Sequence, residues 1–223
     1  MITKGVILAG GNGTRLQPLT LLTNKHLLPV FDKQMIMYPL QTLLDGGVTD
    51  IMIVTGGEHL GGFMNLLGSG AKYGCNFTYR IQDQAGGIAH ALMLAEDFID
   101  GDFVVILGDN IFEDKLVFDR PSLFLKEVED ASRFGVFNHE TNTIVEKPSG
   151  VDKGWAVTGC YVFPQAVFDF ISTLEPSERG ELEITSVNNH FLEDMTLNYL
   201  EGFWSDAGTF ESLLHSANWV QTK

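Results

Sequence analysis

Three apolar runs, Val6–Leu8, Ile51–Thr55 and Phe103–Leu107, show no polar alternation, and each is separated from the next by stretches of helical spacing. A strand with one wet face alternates, so strands of this kind are buried on both faces. Interleaved with helices, they predict a parallel sheet covered on both sides. The spacing predicts helices over 34–45, stopped by Gly46-Gly47, around 59–67 and over 88–99, where Ile88, Ala91, Leu92 and Ala95 share a face. A further strand is expected over 76–81. Beyond residue 115 the pattern becomes α+β, with short β-like runs at 122–128, 133–137, 142–146 and 155–163 and helices at 164–173, 182–193 and 209–219. With no repeat and no linker, residues 1–223 read as one α/β domain.

Charge narrows the function classes. The chain carries 29 acidic and 14 basic residues, a formal net charge of -15. Such a surface repels nucleic acid. If a nucleotide binds, a cation or a few placed Lys and Arg must work against the background field, so the positions of those few are informative. Cys75 and Cys160 have no CxxC partner and no histidine at metal spacing, and are expected as buried thiols. The start, Met1-Ile2-Thr3-Lys4-Gly5, has no signal-peptide character, and no apolar run approaches membrane-spanning length. A cytoplasmic protein with no membrane partner is expected.

The loop Leu8-Ala9-Gly10-Gly11-Asn12-Gly13-Thr14-Arg15-Leu16 follows the first strand. Small residues let backbone N–H groups approach phosphate oxygens, and Arg15 adds charge. A Walker A loop fails here for want of Gly-Lys-Ser/Thr, and the dinucleotide fingerprint fails because Leu16 stands where a third Gly or Ala belongs. Alone, the loop serves equally as a tight turn with a surface arginine. Lys25, in Asn24-Lys25-His26-Leu27-Leu28-Pro29, is either a phosphate ligand or a lysine snorkelling from a loop edge. Asp109 follows a buried strand through Gly108, the place where open parallel sheets bind ligands and where a carboxylate suits Mg²⁺, although an Asx turn uses the same residues. Asp206 precedes the last helix and could as well cap it.

Taken jointly, Leu-Ala-Gly-Gly-x-Gly-Thr-Arg-Leu-x-Pro-Leu-Thr followed by Asn-Lys-His-Leu-Leu-Pro resembles the opening of the sugar nucleotidyltransferase family, in its thymidylyltransferase form. The resemblance continues through Gln82, Gly108-Asp109-Asn110, Glu146-Lys147-Pro148, Arg179-Gly180-Glu181-Leu182-Glu183-Ile184-Thr185 and Trp204-Ser205-Asp206-Ala207-Gly208-Thr209. It implies a three-layer, Rossmann-like nucleotidyltransferase fold: a mostly parallel sheet with an α+β sugar-binding extension, residues 1–115 holding nucleotide and 116–223 sugar phosphate.

The same resemblance implies transfer of thymidylyl from dTTP to glucose-1-phosphate with Mg²⁺, as an enzyme that is free to form homo-oligomers. It places Leu8, Ala9, Gly10, Gly11, Gly13, Thr14, Arg15, Lys25, Gln82, Gly87 and Asp109 around the nucleotide. Of these, Gly10, Gly11, Gln82 and Gly87 face the base, and a glutamine offers both donor and acceptor to a pyrimidine edge. Gly135, Glu146, Lys147, Val157 and Arg179 take the sugar phosphate, within segments that include Thr158 and Gly159. Asp109 and Asp206 hold the metal, and Arg15, Lys25 and Lys147 are catalytic. Glu181 and Glu183 fit helix-start carboxylates as well. Phe134 stands where the family has Tyr. The stretch between Asn110 and Arg133 is shorter than usual, with Pro121 inside it, and Ser205 and Ala207 replace Leu and Thr beside Asp206.

In the last helix, Phe210, Leu213, Leu214, Ala217 and Val220 are expected to dock onto the sheet. The end at Lys223 predicts weak or absent feedback inhibition by a downstream dTDP-sugar. A UTP- or CTP-using relative and a non-catalytic nucleotide sensor are the alternatives.

Overall fold

The structure, a computed structural model, describes every residue except Asn12. Nine strands make one mixed sheet: β1 (Lys4–Leu8), β2 (Asp50–Thr55), β3 (Asn76–Ile81), β4 (Phe103–Leu107), β5 (Ser122–Val128), β6 (Gly135–Asn138), β7 (Thr143–Glu146), β8 (Gly154–Phe163) and β9 (Thr196–Leu200). Among the described residues six α-helices accompany them: α1 (Met37–Asp45), α2 (Leu60–Leu67), α3 (Ile88–Met93), α4 (Val167–Ile171), α5 (Ile184–Phe191) and α6 (Phe210–Gln221).

The sheet runs β7-β6-β8-β4-β1-β2-β3, with β5 paired to β8 and β9. β4, β1, β2 and β3 are mutually parallel. β8 turns the direction, pairing antiparallel with β4, β5 and β6. The expected α/β fold with a mostly parallel core and an α+β extension is the one observed.

The missing alternation in β1, β2 and β4 has a simple cause. Val6, Leu8, Met52, Val54, Phe103 and Val105 face one apolar layer with α3, α4 and α5. Ile7, Ile51, Ile53, Val104 and Ile106 face a second layer with α1 and α2. Successive side chains of a strand point to opposite faces, and here both faces are core.

Several boundaries differ from expectation. The α1 run begins at Met37, because Lys33-Gln34 pairs antiparallel with Pro29-Val30. The helix from Ile88 closes at Met93, and a 3-10 turn at Glu96–Phe98 completes the expected span. The predicted 164–173 helix is α-helical only over Val167–Ile171. β9 was not anticipated, since its parallel partner β5 lies some seventy residues earlier. In α6, Phe210 and Leu214 are exposed at 44% and 63%, so the expected docking face is corrected. Leu213, Ala217 and Val220, with Trp219, pack instead on a third small core of Val30, Met35, Ile111 and Ala207. The helix thereby supports the turn that carries Asp206, and its own start is fixed by a reciprocal Thr209–Ser212 capping box.

Candidate active site

The carboxyl ends of parallel strands carry the site, as topology demands. β1 delivers Leu8, Gly10, Gly11 and Arg15; β3 delivers Gln82; β4 delivers Asp109. These residues, with Lys25 and Gly87, line a cleft of about 310 Å³. An adjoining cleft of about 470 Å³ is lined by Gly135, Glu146, Lys147, Val157, Arg179 and Asp206. The two merge, sharing Arg15, Ile88, Leu107, Asp109 and Glu181.

Lys25 is held in place by its neighbours. Asn24 caps the 3-10 turn Lys25–Leu27: its Oδ1 accepts from the His26 backbone at 2.9 Å and lies 2.7 Å from His26 Nδ1, while its Nδ2 donates to the Ala9 carbonyl at 3.1 Å. The turn is thus tied to the end of β1. From it Lys25 Nζ reaches Asp109 Oδ2 at 2.5 Å. Burial opposes the charge on Asp109, but Lys25 and hydrogen bonds from Lys25 and Asn110 outweigh it, so the carboxyl sits below its ordinary pKa. His26 is wholly buried, and burial, then the Lys25 charge, pushes its ring down to about 3. It is therefore neutral. Gly108 is required beside it, because a Cβ there would lie 2.7 Å from His26 Cδ2.

Asn110, part of the Gly108-Asp109-Asn110 motif but given no role from sequence, is a hub. Its Nδ2 donates to Asp109 Oδ1 at 3.0 Å, and its Oδ1 accepts from Gly159 N at 2.9 Å and Trp204 Nε1 at 2.8 Å. Gly159 sits at the register shift of β8 between Val157 and Tyr161, a strand irregularity turned to use beside the cleft.

In the adjoining cleft, Glu146 accepts from Thr185 Oγ1 at 2.6 Å and from Arg179 at 3.2 Å. Arg179 is gripped by Glu183, to which Ser177 also donates, so Glu183 acts as the clamp on Arg179. Asp206 is paired with Arg133 at 3.0 Å. The Arg133 guanidinium lies 5.2 Å from the Phe134 ring centre, and that ring packs on Trp204 at 5.1 Å. Where a hydroxyl is missing, Phe134 serves as a platform.

Three expected residues do not reach the cleft walls. Ala9 is fully buried, its N–H bonded to Val54 and its carbonyl to Asn24 and Thr55. Gly13 and Thr14 start the 3-10 turn that carries Arg15, and Gly13 packs against Thr20 and Lys25. They shape the loop from behind. Asn12, within the same loop, lies outside the described residues. Glu181, read from sequence as a helix-start carboxylate, lines both clefts. Arg133 lies in no motif, and Asn110, although part of Gly108-Asp109-Asn110, shows no role in sequence, because their partners Asp206 and Gly159 are far away along the chain.

Comparison with known proteins places the chain in a family. The Nucleotidyl transferase family model matches residues 4–223. The glucose-1-phosphate thymidylyltransferase of Neisseria meningitidis serogroup A is 41% identical over 98% of this chain and 83% of its own length. A Haloferax volcanii low-salt glycan biosynthesis nucleotidyltransferase, Agl11, is 39% identical over 96% of this chain and 64% of its own length. A Bacillus anthracis crystal structure described as a glucose-1-phosphate thymidylyltransferase with sucrose superposes with a TM-score of 0.92 at 46% identity, covering 99% of this chain and 96% of that one. A UDP-glucose pyrophosphorylase with UDP-glucose reaches 0.85 at 25% identity, covering 100% of both chains. On fold and sequence together, the chain belongs to the nucleotidyl transferase family.

Proposed function

We propose that this enzyme transfers thymidylyl from dTTP to glucose-1-phosphate, giving dTDP-glucose and pyrophosphate. The observation that carries the reading is the merging of the two clefts at Arg15 and Asp109. A nucleotide on the β1–β3 side and a sugar phosphate on the β6–β8 side meet there. A phosphate oxygen of glucose-1-phosphate attacks the α-phosphorus of dTTP, and the bond to the oxygen bridging the β-phosphorus breaks as pyrophosphate leaves. The attacking group is already anionic, so positioning and charge neutralisation dominate. Arg15 takes the leaving phosphates, Lys25 the α-phosphate and Lys147 the sugar phosphate. Residues 1–115 serve mainly the donor and 116–223 mainly the acceptor.

Asp109 and Asp206 are hard oxygen donors on one cleft, each balanced by a cation, Lys25 and Arg133. That donor set fits Mg²⁺, which takes one or two carboxylates with phosphate oxygens and water. Asp109 and Asp206 would hold the ion, which would supply positive charge to the phosphates and leave Lys25 and Arg133 to face substrate oxygens.

A second reading, uridylyl transfer, is favoured by the likeness to UDP-glucose pyrophosphorylase. Gln82 and backbone discriminate a methyl group and a 2′-hydroxyl only modestly. Pyrophosphate release measured over a panel of nucleotides crossed with a panel of sugar-1-phosphates tests both. dTTP with glucose-1-phosphate should give the highest kcat/KM, and preference for UTP would favour the second reading. No release with any pair would leave a non-catalytic sensor. Among the described residues no helix is long and apolar enough to cross a membrane, and the substrates are small and water-soluble, in keeping with a cytoplasmic enzyme.

A further inference from the structure

Two adjacent asparagines on α5 behave oppositely. Asn189 is spent on the fold: its Nδ2 donates to the Ile144 carbonyl at 2.8 Å and its Oδ1 accepts from Ile144 N at 2.7 Å, pinning α5 to β7. Asn188 is 1% exposed, yet its Oδ1 has no hydrogen-bond partner among the described residues. It lines the sugar-side cleft. The other buried side-chain oxygen without a partner, Thr158 Oγ1, is not on that wall.

A buried amide oxygen without a donor is costly, and native chains keep one where something else supplies the partner. Position says what supplies it. Thr185 lies three residues before Asn188, hence on the same helix face, and its hydroxyl orients Glu146 in the same cleft. Glu146 is already engaged by Thr185, Arg179 and Lys147, so of the two it is Asn188 whose amide oxygen lacks a donor. A phosphate dianion offers no proton to an acceptor, whereas a sugar hydroxyl does. Lys147 and Arg179, both paired with Glu146, are the charges that draw the phosphate, which leaves a hydroxyl of the ring to supply Asn188.

We infer that Asn188 is a specificity-determining residue that accepts a hydrogen bond from one hydroxyl of the acceptor sugar. This rests on the sugar-1-phosphate reading above. A site built to bond a hydroxyl rejects the analogue that lacks it far more strongly than an apolar pocket discriminates by shape.

The test measures kcat/KM for glucose-1-phosphate and its 2-, 3-, 4- and 6-monodeoxy analogues in the parent, in Asn188→Leu and in Asn188→Ala, with the melting temperature of each ligand-free protein. In the parent, one analogue should fall at least tenfold below glucose-1-phosphate. In both variants that one ratio should collapse towards unity while the other three keep their parental values. The melting temperature of Asn188→Leu should hold, because no protein hydrogen bond is lost, while that of Asn188→Ala should fall only by what its small cavity costs. Unchanged ratios for all four analogues in either folded variant would overturn the inference while leaving the proposed activity standing. A marked drop in melting temperature in both variants would also overturn it, by showing that an ordered water makes Asn188 structural. A parent inactive on every sugar-1-phosphate would overturn the proposed function itself, and the inference with it.

Discussion

Arg133 and Asp206, seventy-three residues apart, meet across the cleft: one guanidinium nitrogen lies 3.0 Å from Oδ2 and 3.4 Å from Oδ1. On the nucleotide side Lys25 and Asp109 do the same. Each carboxylate assigned to the metal is therefore already balanced by a cation that a metal must displace. Removing Arg133 should ease that displacement and also strip the cleft of a charge useful to a phosphate. In Arg133→Gln the Mg²⁺ concentration for half-maximal rate is expected to fall while kcat falls at least about tenfold, ~1.4 kcal/mol of barrier. Mg²⁺ titrations that superimpose on the parent would show that the pair does not compete with the ion.

Asp206→Asn keeps shape and removes charge. Turnover is expected to fall by more than about a hundredfold, ~2.7 kcal/mol, with the fold retained. Circular dichroism checks the fold and pyrophosphate release the rate. A variant within about tenfold of the parent would remove Asp206 from the metal site.

Lys25→Ala should depress kcat far more than it raises the nucleotide KM. Lys25 is assigned to the α-phosphate, where charge shifts as the bond breaks, and contacts strengthened only in the transition state appear in kcat. Steady-state kinetics in which KM alone moves would place Lys25 in ground-state binding.

How far was this legible in the sequence? The parallel core was, because β1, β2 and β4 lack alternation. The cluster Arg15, Lys25, Asp109 was legible only as a joint pattern, since each has an ordinary role as turn, snorkelling lysine or Asx turn. Partners distant along the chain were not. Arg133 meets Asp206, Asn110 meets Gly159, and β9 pairs with β5, all by tertiary folding. The two asparagines at 188 and 189 look identical in sequence, and only the packing of α5 on β7 separates the structural one from the unpartnered one. Likewise the apolar spacing of α6 located the helix but not which side it buries, because Phe210 and Leu214 sit among residues of equal hydrophobicity.

Acid should unfold this protein partly through His26. Its ring titrates near the ordinary 6.5 when unfolded and at about 3 when folded. Between those values the unfolded chain binds one more proton, so stability is greatest above about pH 6.5 and declines as pH falls, by up to about 1.4 kcal/mol per pH unit. The depressed carboxyl of Asp109 acts in the same direction, but only once pH nears the usual carboxylate range. Urea denaturation between pH 5 and 6.5 isolates the histidine. His26→Gln, which stays neutral, should flatten the slope there, and an unaltered slope would show that the ring already titrates normally in the fold.

Two glycines separate recognition from folding. A Cβ on Gly10 would lie 2.7 Å from Gln82 Oε1, the tip of a flexible side chain on the cleft wall. Gln82 is steadied on its other side by His90, whose Nδ1 is 3.1 Å from its amide nitrogen. Gly10→Ala can be accommodated by turning that amide away, at the expense of the base contact proposed for it. It should therefore fold with a melting temperature near the parent's while the dTTP KM rises about tenfold, ~1.4 kcal/mol. A Cβ on Gly108 would meet the His26 ring at the same 2.7 Å, but that ring is 2% exposed and fixed by Asn24. No free side-chain tip can yield, so Gly108→Ala should cost about 1–3 kcal/mol of stability, as overpacking does, and disturb the turn that carries Lys25. Thermal melts and dTTP saturation curves on both variants make the comparison. A Gly10→Ala enzyme with an unchanged dTTP KM would remove Gln82 from the base-binding wall, whatever Gly108→Ala does to stability.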